Sequence, residues 1–179
     1  VLPSGLVQFP PVHPFPPAHT TITVGRATLR FYLGDCLSLL PLFPEGTFDV
    51  VVTSPPYNLG IRYRSYDDGM PRPDYLEWTG RWIAATTRTL TPAGSVFLNV
   101  GSKPTDPWIA FDVAQAARTH LSLQNTIHWV KSIAIEHAAA GSRAGLTGDL
   151  AVGHYKPINS ERFLNDCHEF IFHLTRDGH

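Results

Sequence analysis

Apolar and polar positions divide this chain into short strands and two longer helices. Phe48-Asp49-Val50-Val51-Val52 is an apolar run of strand length and reads as a buried strand. Upstream, Thr28 to Cys36 alternates polar and apolar residues and stops at Gly34-Asp35, which predicts a strand with an acidic residue at its C-terminal tip. Leu37 to Leu42 has room for a helical turn or two. Asp74-Tyr75-Leu76-Glu77 carries a capping-box pattern and predicts a helix reaching Leu90, with Leu76, Ile83 and Leu90 on one face. Thr91 to Gly94 ends that helix, and Ser95 to Val100 reads as the next buried strand. Thr105-Asp106-Pro107 predicts a second helix, with Pro in its first turn, running to His120. Leu123 to Lys131 and His168 to Arg176 read as the remaining strands.

Proline and glycine mark what lies between. Residues 1–18 hold Pro3, Pro10, Pro11, Pro14, Pro16 and Pro17, which excludes a central strand or a helix and predicts an extended arm. We place this arm at residues 1–24 and a catalytic domain at residues 25–179. Phe9, Val12 and Phe15 are suited to pack the arm against the body. Leu59 to Pro73 is polar, with Gly60, Gly69, Pro71 and Pro73, and reads as a mobile loop. Residues 132–165 are rich in Ala, Gly, Ser and His and read as an insertion between two sheet strands. No internal repeat is present.

The strand at Val52 ends in Thr53-Ser54-Pro55-Pro56-Tyr57-Asn58. Two prolines fix φ and remove two N–H donors, so the carbonyls there are expected to stay open as acceptors. Tyr57 adds a flat ring. A rigid, acceptor-rich cup with an aromatic wall suits a planar amino-bearing group such as a flipped nucleobase; the plainer alternative is a proline turn that caps a core strand. Asp35 is likewise open to two roles, a ligand for a ribose hydroxyl or an adenine amino group beyond a strand end, and an N-cap for the helix that follows.

Composition narrows the class. The chain has 179 residues, 43% of them hydrophobic, enough for one domain with a core. Net charge is −1, so any affinity for DNA needs a segregated basic face. Arg62, Arg64, Arg72, Arg81 and Arg88 follow the motif, with Arg81 and Arg88 read as surface residues balanced by nearby acids. Two cysteines, Cys36 and Cys167, fit a reducing cytoplasm without a disulfide framework. No apolar run is long enough to span a bilayer. Nine histidines raise the question of a metal, but no HxxxH or CxxC spacing occurs. His168 and His173 are an odd number apart in one strand and so face opposite sides.

Taken in order, Gly34-Asp35-Cys36, Phe48 to Asn58, Gly94 to Gly101, Ile127-His128-Trp129-Val130-Lys131 and Cys167 to Leu174 resemble the S-adenosylmethionine-dependent DNA amino-methyltransferases, over roughly Arg26 to Arg176. The closer resemblance is to the permuted group, in which the catalytic motif precedes a Gly-rich cofactor motif. The resemblance implies an α/β fold with a Rossmann-like sheet in the order 3-2-1-4-5-7-6. It implies methyl transfer to an exocyclic amino group of duplex DNA, as in restriction-modification. Catalysis falls to Ser54, Pro55, Pro56 and Tyr57. Ser54 and the Pro55 carbonyl accept from the amino protons, and Tyr57 stacks on the base. Asp35, Cys36, Thr53 and Ser54 are the cofactor-side residues, and Asn58, Arg62, Arg64, Trp129 and Lys131 the DNA-side residues. For Trp129, packing in the core is the reading favoured over base contact. The insertion is a natural place for DNA contacts, and the loop after Tyr57 closes near the base. Ser ahead of Pro-Pro-Tyr goes mainly with cytosine N4, and Asp or Asn mainly with adenine N6. The absence of a Pro-Cys nucleophile argues against methylation at cytosine carbon 5.

The same resemblance predicts an incomplete sheet. The Gly-rich cofactor segment is expected after Arg176, and Gly101-Ser102 and Gly141-Ser142 are poor substitutes. A complementary C-terminal segment or a second copy would then complete the sheet, and the chain alone would bind S-adenosylmethionine weakly. The competing expectations are an adenine-N6 enzyme, an RNA or protein-amide methyltransferase, and a catalytically incomplete DNA-binding fragment.

Overall fold

The structure, a computed structural model, describes residues 15–64, 66–131, 133–135, 150–152, 162 and 168–177. Its centre is a four-stranded sheet in the order β3-β4-β8-β5, made of Phe48–Thr53 (β3), Leu90–Val100 (β4), His168–Thr175 (β8) and Ser122–Val130 (β5). β3 runs parallel to β4, and β8 runs antiparallel to both its neighbours. This order, with β8 antiparallel, matches the 4-5-7-6 part of the sheet that the resemblance implies.

Alternation along the strands decides what each face does. Val96, Leu98 and Val100 of β4 and Phe170, Phe172 and Leu174 of β8 are buried on one face. Helices α2 (Arg72–Thr89) and α3 (Ile109–Ala117) contribute to the same core through Tyr75, Trp82, Ile83, Ile109, Ala110, Val113 and Ala117. The other set of positions is far more open, with Val52 at 76% and Trp129 at 51% exposure. Trp129 is therefore not the core residue favoured from sequence.

Several boundaries differ from the sequence reading for local reasons. Helix α2 starts at Arg72, not at Asp74. The Pro71 carbonyl takes the Tyr75 N–H at 3.0 Å, and Pro73 sits in the first turn, where a missing N–H costs nothing. Its buried residues are Tyr75, Thr79, Trp82, Ile83, Thr86 and Thr89; of the expected face Ile83 and Leu90 are buried and Leu76 only partly, and the three threonines hid the rest from a hydrophobicity count. β4 begins at Leu90, directly after α2. Helix α3 starts at Ile109, because the Asp106 N–H bonds the Lys103 carbonyl (2.8 Å) in a turn and the Asp106 carboxylate pairs with Arg72. Arg72 also reaches Asp112 at 2.7 Å and so ties the start of α2 to α3. Arg88 is no ordinary surface residue: its guanidinium donates to the Leu40 and Phe43 carbonyls at 2.9 and 2.6 Å.

The largest correction concerns the strand before Asp35. Ala27–Phe31 (β2) pairs with Thr20–Val24 (β1) as a separate hairpin, not as a strand of the main sheet. Alternation reports a strand but not its partner, and a nearby alternating segment won through a tight turn with Gly25 at φ 60. Thr20–Val24, within the expected arm, is therefore a strand paired with β2. Phe15 contacts the Phe43 ring with centroids 6.2 Å apart. After the hairpin come helix α1 (Cys36–Leu39) and a 3-10 turn at Leu40–Leu42. Residues 1–14, Cys167 and most of the 132–165 insertion lie outside the described residues. Within the insertion, Ile133–Ile135 (β6) and Leu150–Val152 (β7) pair antiparallel. No helix among the described residues is long and apolar enough to cross a membrane.

The segment after Tyr57 is tied down rather than loose at its base. Asp68, 2% exposed, accepts the N–H groups of Asn58 (2.9 Å), Leu59 (3.0 Å) and Ile61 (2.9 Å), and its own carbonyl accepts the Gly60 N–H at 2.9 Å. Asn58 has φ 58, a left-handed conformation that Asn tolerates, and its side chain donates to the Met70 carbonyl at 2.8 Å. Lys103 donates to the Leu59 carbonyl at 2.8 Å.

Two outcomes test this packing. Leu98→Ala should cost about 2–5 kcal/mol by urea unfolding, while Val52→Ala stays within about 0.5 kcal/mol; equal costs would mean that both faces are packed. Asp68→Ala should speed hydrogen exchange at the Asn58, Leu59 and Ile61 amides about tenfold or more, since a hydrogen bond to a charged group is worth about 1.5–3 kcal/mol. Unchanged exchange at those three amides would show that Asp68 does not anchor the segment.

Candidate active site

Sheet order places the site. β3 ends at Thr53, which pairs with Leu98, so Ser54 emerges beside Asn99 of β4. Asn99 pairs with Ile171 of β8, two residues from Glu169, and Glu169 pairs with Trp129 of β5. Ser54, Asn99, Glu169 and Lys131 therefore form a row across neighbouring strand ends.

Tyr57 folds back over this row. Its hydroxyl lies 2.7 Å from Ser54 Oγ, 2.6 Å from Asn99 Nδ2 and 3.4 Å from Glu169 Oε2. Asn99 Nδ2 also donates to Glu169 Oε2 at 2.8 Å. Lys131 Nζ is ion-paired with Glu169 Oε1, and the Glu169 side chain is only 15% exposed. Gly101 makes room for the assembly: a Cβ there would lie 2.9 Å from Tyr57 Cε2 and 3.2 Å from Glu169 Oε1. Burial pushes the Tyr57 phenol pKa up, and the Glu169 carboxylate adds to the rise against the opposing Ser54 and Asn99 hydrogen bonds. The phenol thus stays protonated and able to donate.

The two prolines are not equivalent. Tyr75, buried under the turn, donates its hydroxyl to the Pro56 carbonyl at 2.8 Å; burial above all raises its own pKa. The Pro56 carbonyl is therefore not the open acceptor expected from sequence. The Pro55 carbonyl meets no donor among the described residues. Ser54 is exposed and Pro55 half-buried at the tip of β3, and Ser54 Oγ meets the Tyr57 hydroxyl there.

The remaining candidates divide. Thr53 is half-buried as the last residue of β3. Asp35 is the N-cap of α1, its Oδ1 accepting the Leu37 N–H at 2.7 Å. The Cys36 thiol pKa is raised, by burial first and then by the Asp35 charge, which disfavours a thiolate. The structure records no contact that joins Asp35 or Cys36 to Ser54 among the described residues. Arg62 and Arg64 are exposed beside the exposed Ile61 and Tyr63. Asn58 is committed to the turn itself. Trp129 lies under the Lys131 ammonium, 5.3 Å from its ring centre.

Asn99, Gly101 and Glu169 were missed as site residues. The signal was present: a polar Asn inside an apolar strand and a carboxylate at the start of another. Only the pairing of β4 with β8 brings them to Tyr57.

Comparison with known proteins identifies the family. The N6/N4 DNA methylase family model matches residues 48–179. The type II methyltransferase M.MjaVI of Methanocaldococcus jannaschii is 35% identical over 107 residues, 55% of this chain and 53% of that protein. M.SfiI of Streptomyces fimbriatus is 27% identical over 176 residues, 82% of this chain and 40% of that protein. Among solved structures, the PvuII DNA methyltransferase (cytosine-N4-specific) aligns with a TM-score of 0.58 at 17% identity, covering 83% of this chain and 49% of that one. A DNA modification methylase of Thermus thermophilus, complexed with S-adenosyl-L-methionine, aligns with a TM-score of 0.53 at 22% identity, over 82% and 53% of the two chains. The chain spans about half, or less, of the length of these relatives. With the match running from the first residue of β3 through β8, the chain belongs to the N6/N4 DNA methylase family.

Proposed function

We propose that this chain carries the target-base side of an S-adenosylmethionine-dependent methyltransferase that modifies the exocyclic N4 of cytosine in duplex DNA. The observation that carries the reading is the exposed Ser54, its Oγ against the Tyr57 hydroxyl, next to a Pro55 carbonyl that meets no donor among the described residues. An exocyclic amino group is a poor nucleophile because its lone pair is delocalised into the ring. Two acceptors that draw its two protons out of the ring plane localise that lone pair. Holding the nitrogen in this geometry supplies positioning and dipolar stabilisation, the main terms available here.

Bound S-adenosylmethionine would supply an electrophilic methyl group from its sulfonium; the carbon–sulfur bond would break as the carbon–nitrogen bond forms, and the surplus amino proton would pass to water. Residues at the start of α1 and beside the tip of β3 suit such a cofactor. Asp35 is exposed and uses only Oδ1 for its cap, leaving Oδ2 to accept from a ribose hydroxyl. The exposed Val50 and Val52 offer apolar surface next to Ser54. Cys36 and Thr53 belong to the same proposed cofactor side. On the DNA side stand Arg62, Arg64 and Trp129, and the 132–165 insertion is assigned the same task. Neutral Ser at the head of the motif favours cytosine N4 over adenine N6, by resemblance to the family.

Labelled S-adenosylmethionine offered with DNA, RNA and protein, followed by nucleoside digestion and mass spectrometry, tests the reading. The expected product is N4-methylcytosine in DNA. Label found only in N6-methyladenine would replace the base assignment, and label found only in RNA or protein would overturn the substrate class. Ser54→Ala should lower kcat about 10²–10³-fold with little change in unfolding midpoint, the size seen when one preorganised polar contact to a transition state is lost.

A further inference from the structure

We propose that Glu169 is a positioning residue that sets the direction of a hydrogen-bond chain through Tyr57, so that the Ser54 oxygen faces the substrate as an acceptor. The inference rests on the amino-methyltransferase reading of the site and goes beyond it by assigning Glu169, Asn99 and Lys131.

The argument is one of donor and acceptor counting. An ionised carboxylate accepts only. Oε1 is already taken up by its ion pair with the Lys131 ammonium. Oε2 therefore takes one proton from Asn99 Nδ2 at 2.8 Å, which fixes the Asn99 amide with its NH2 toward Tyr57. The other Asn99 proton goes to the Tyr57 oxygen at 2.6 Å. The Tyr57 hydroxyl proton has two destinations, Ser54 Oγ at 2.7 Å and Glu169 Oε2 at 3.4 Å. The negative charge draws it toward Glu169. The 3.4 Å link is long, as catalytic hydrogen bonds often are before substrate binds, and an amino group arriving at Ser54 favours its closure. Ser54 then donates its own proton to Tyr57 and keeps its lone pairs for the amino group. Each link polarises the next: amino N–H to Ser54, Ser54 to Tyr57, Tyr57 to Glu169. With the direction reversed, Ser54 would point a proton at the amino group it must receive.

Lys131 thereby gains an internal role in place of a free contact to DNA phosphate. Gly101 belongs to the same device, since any side chain there would separate Tyr57 from Glu169.

The test is a double-mutant cycle of Glu169→Gln and Tyr57→Phe in the active enzyme, read by single-turnover methyl transfer to DNA and by DNA and cofactor binding. Glu169→Gln keeps the size but lets the side-chain amide donate to Tyr57 and reverse the chain. We expect it to slow transfer at least about tenfold with both dissociation constants within about twofold. Tyr57→Phe removes the relay, so adding Glu169→Gln to it should cost less than about threefold more. Glu169→Asp should recover part of the rate. Multiplicative losses in the double variant, or a parental rate in Glu169→Gln, would overturn the proposal while leaving parental DNA methylation intact. Absence of methyl transfer by the parental enzyme would instead overturn the function on which it rests. A Glu169→Gln protein with a lowered unfolding midpoint and an unchanged rate would assign the residue to packing alone, also against the proposal.

Discussion

The Tyr57 hydroxyl is the contact on which the site depends. Three strands meet there: the end of β3 through Ser54, β4 through Asn99 and β8 through Glu169. A hydroxyl shared among groups from three strands is satisfied only if the strands keep their register. The site is therefore a readout of the sheet, and a slip of one residue in β8 would turn Glu169 to the helix face. Part-buried polar networks are costly when half satisfied, which makes this one a strong constraint on the local fold.

A second tier holds the motif from below and behind. Tyr75 clamps the Pro56 carbonyl from α2, and Asp68 gathers three N–H groups of the chain that leaves Tyr57. Arg72, paired to Asp106 and Asp112, fixes the start of α2, so Tyr75 arrives in place. The rigid part of the active turn is thus set by α2 and by a single buried carboxylate. The two proline carbonyls differ: that of Pro56 is anchored by Tyr75, and that of Pro55 meets no donor among the described residues.

Sequence reading found what is written locally. The β3 strand, the Ser54–Tyr57 turn, the strands near 95–100, 122–130 and 168–175, and the existence of both helices all follow from periodicity and turn residues. It erred where the answer lies in a partner. The alternation at Ala27–Phe31 indicated a strand, but pairing with Thr20–Val24 was decided by a two-residue turn. The α2 seam was blurred by Thr79, Thr86 and Thr89, and Asp74 mimicked a cap that the Pro71 backbone supplies. Asn99 and Glu169 stand 70 residues apart and meet only through β4–β8 pairing. The resemblance marks Lys131 as a DNA-side residue and carries no sign of its ion pair with Glu169.

The most direct test of the account is the titration of the Tyr57 phenol, followed by NMR in protein labelled at the tyrosine ζ carbon and assigned with Tyr57→Phe. Burial and the Glu169 carboxylate both oppose ionisation, so Tyr57 should remain protonated past the ordinary tyrosine pKa of about 10. A Tyr57 that ionises at or below that value would mean that its hydroxyl is not held against Glu169, and the three-strand site would be wrong.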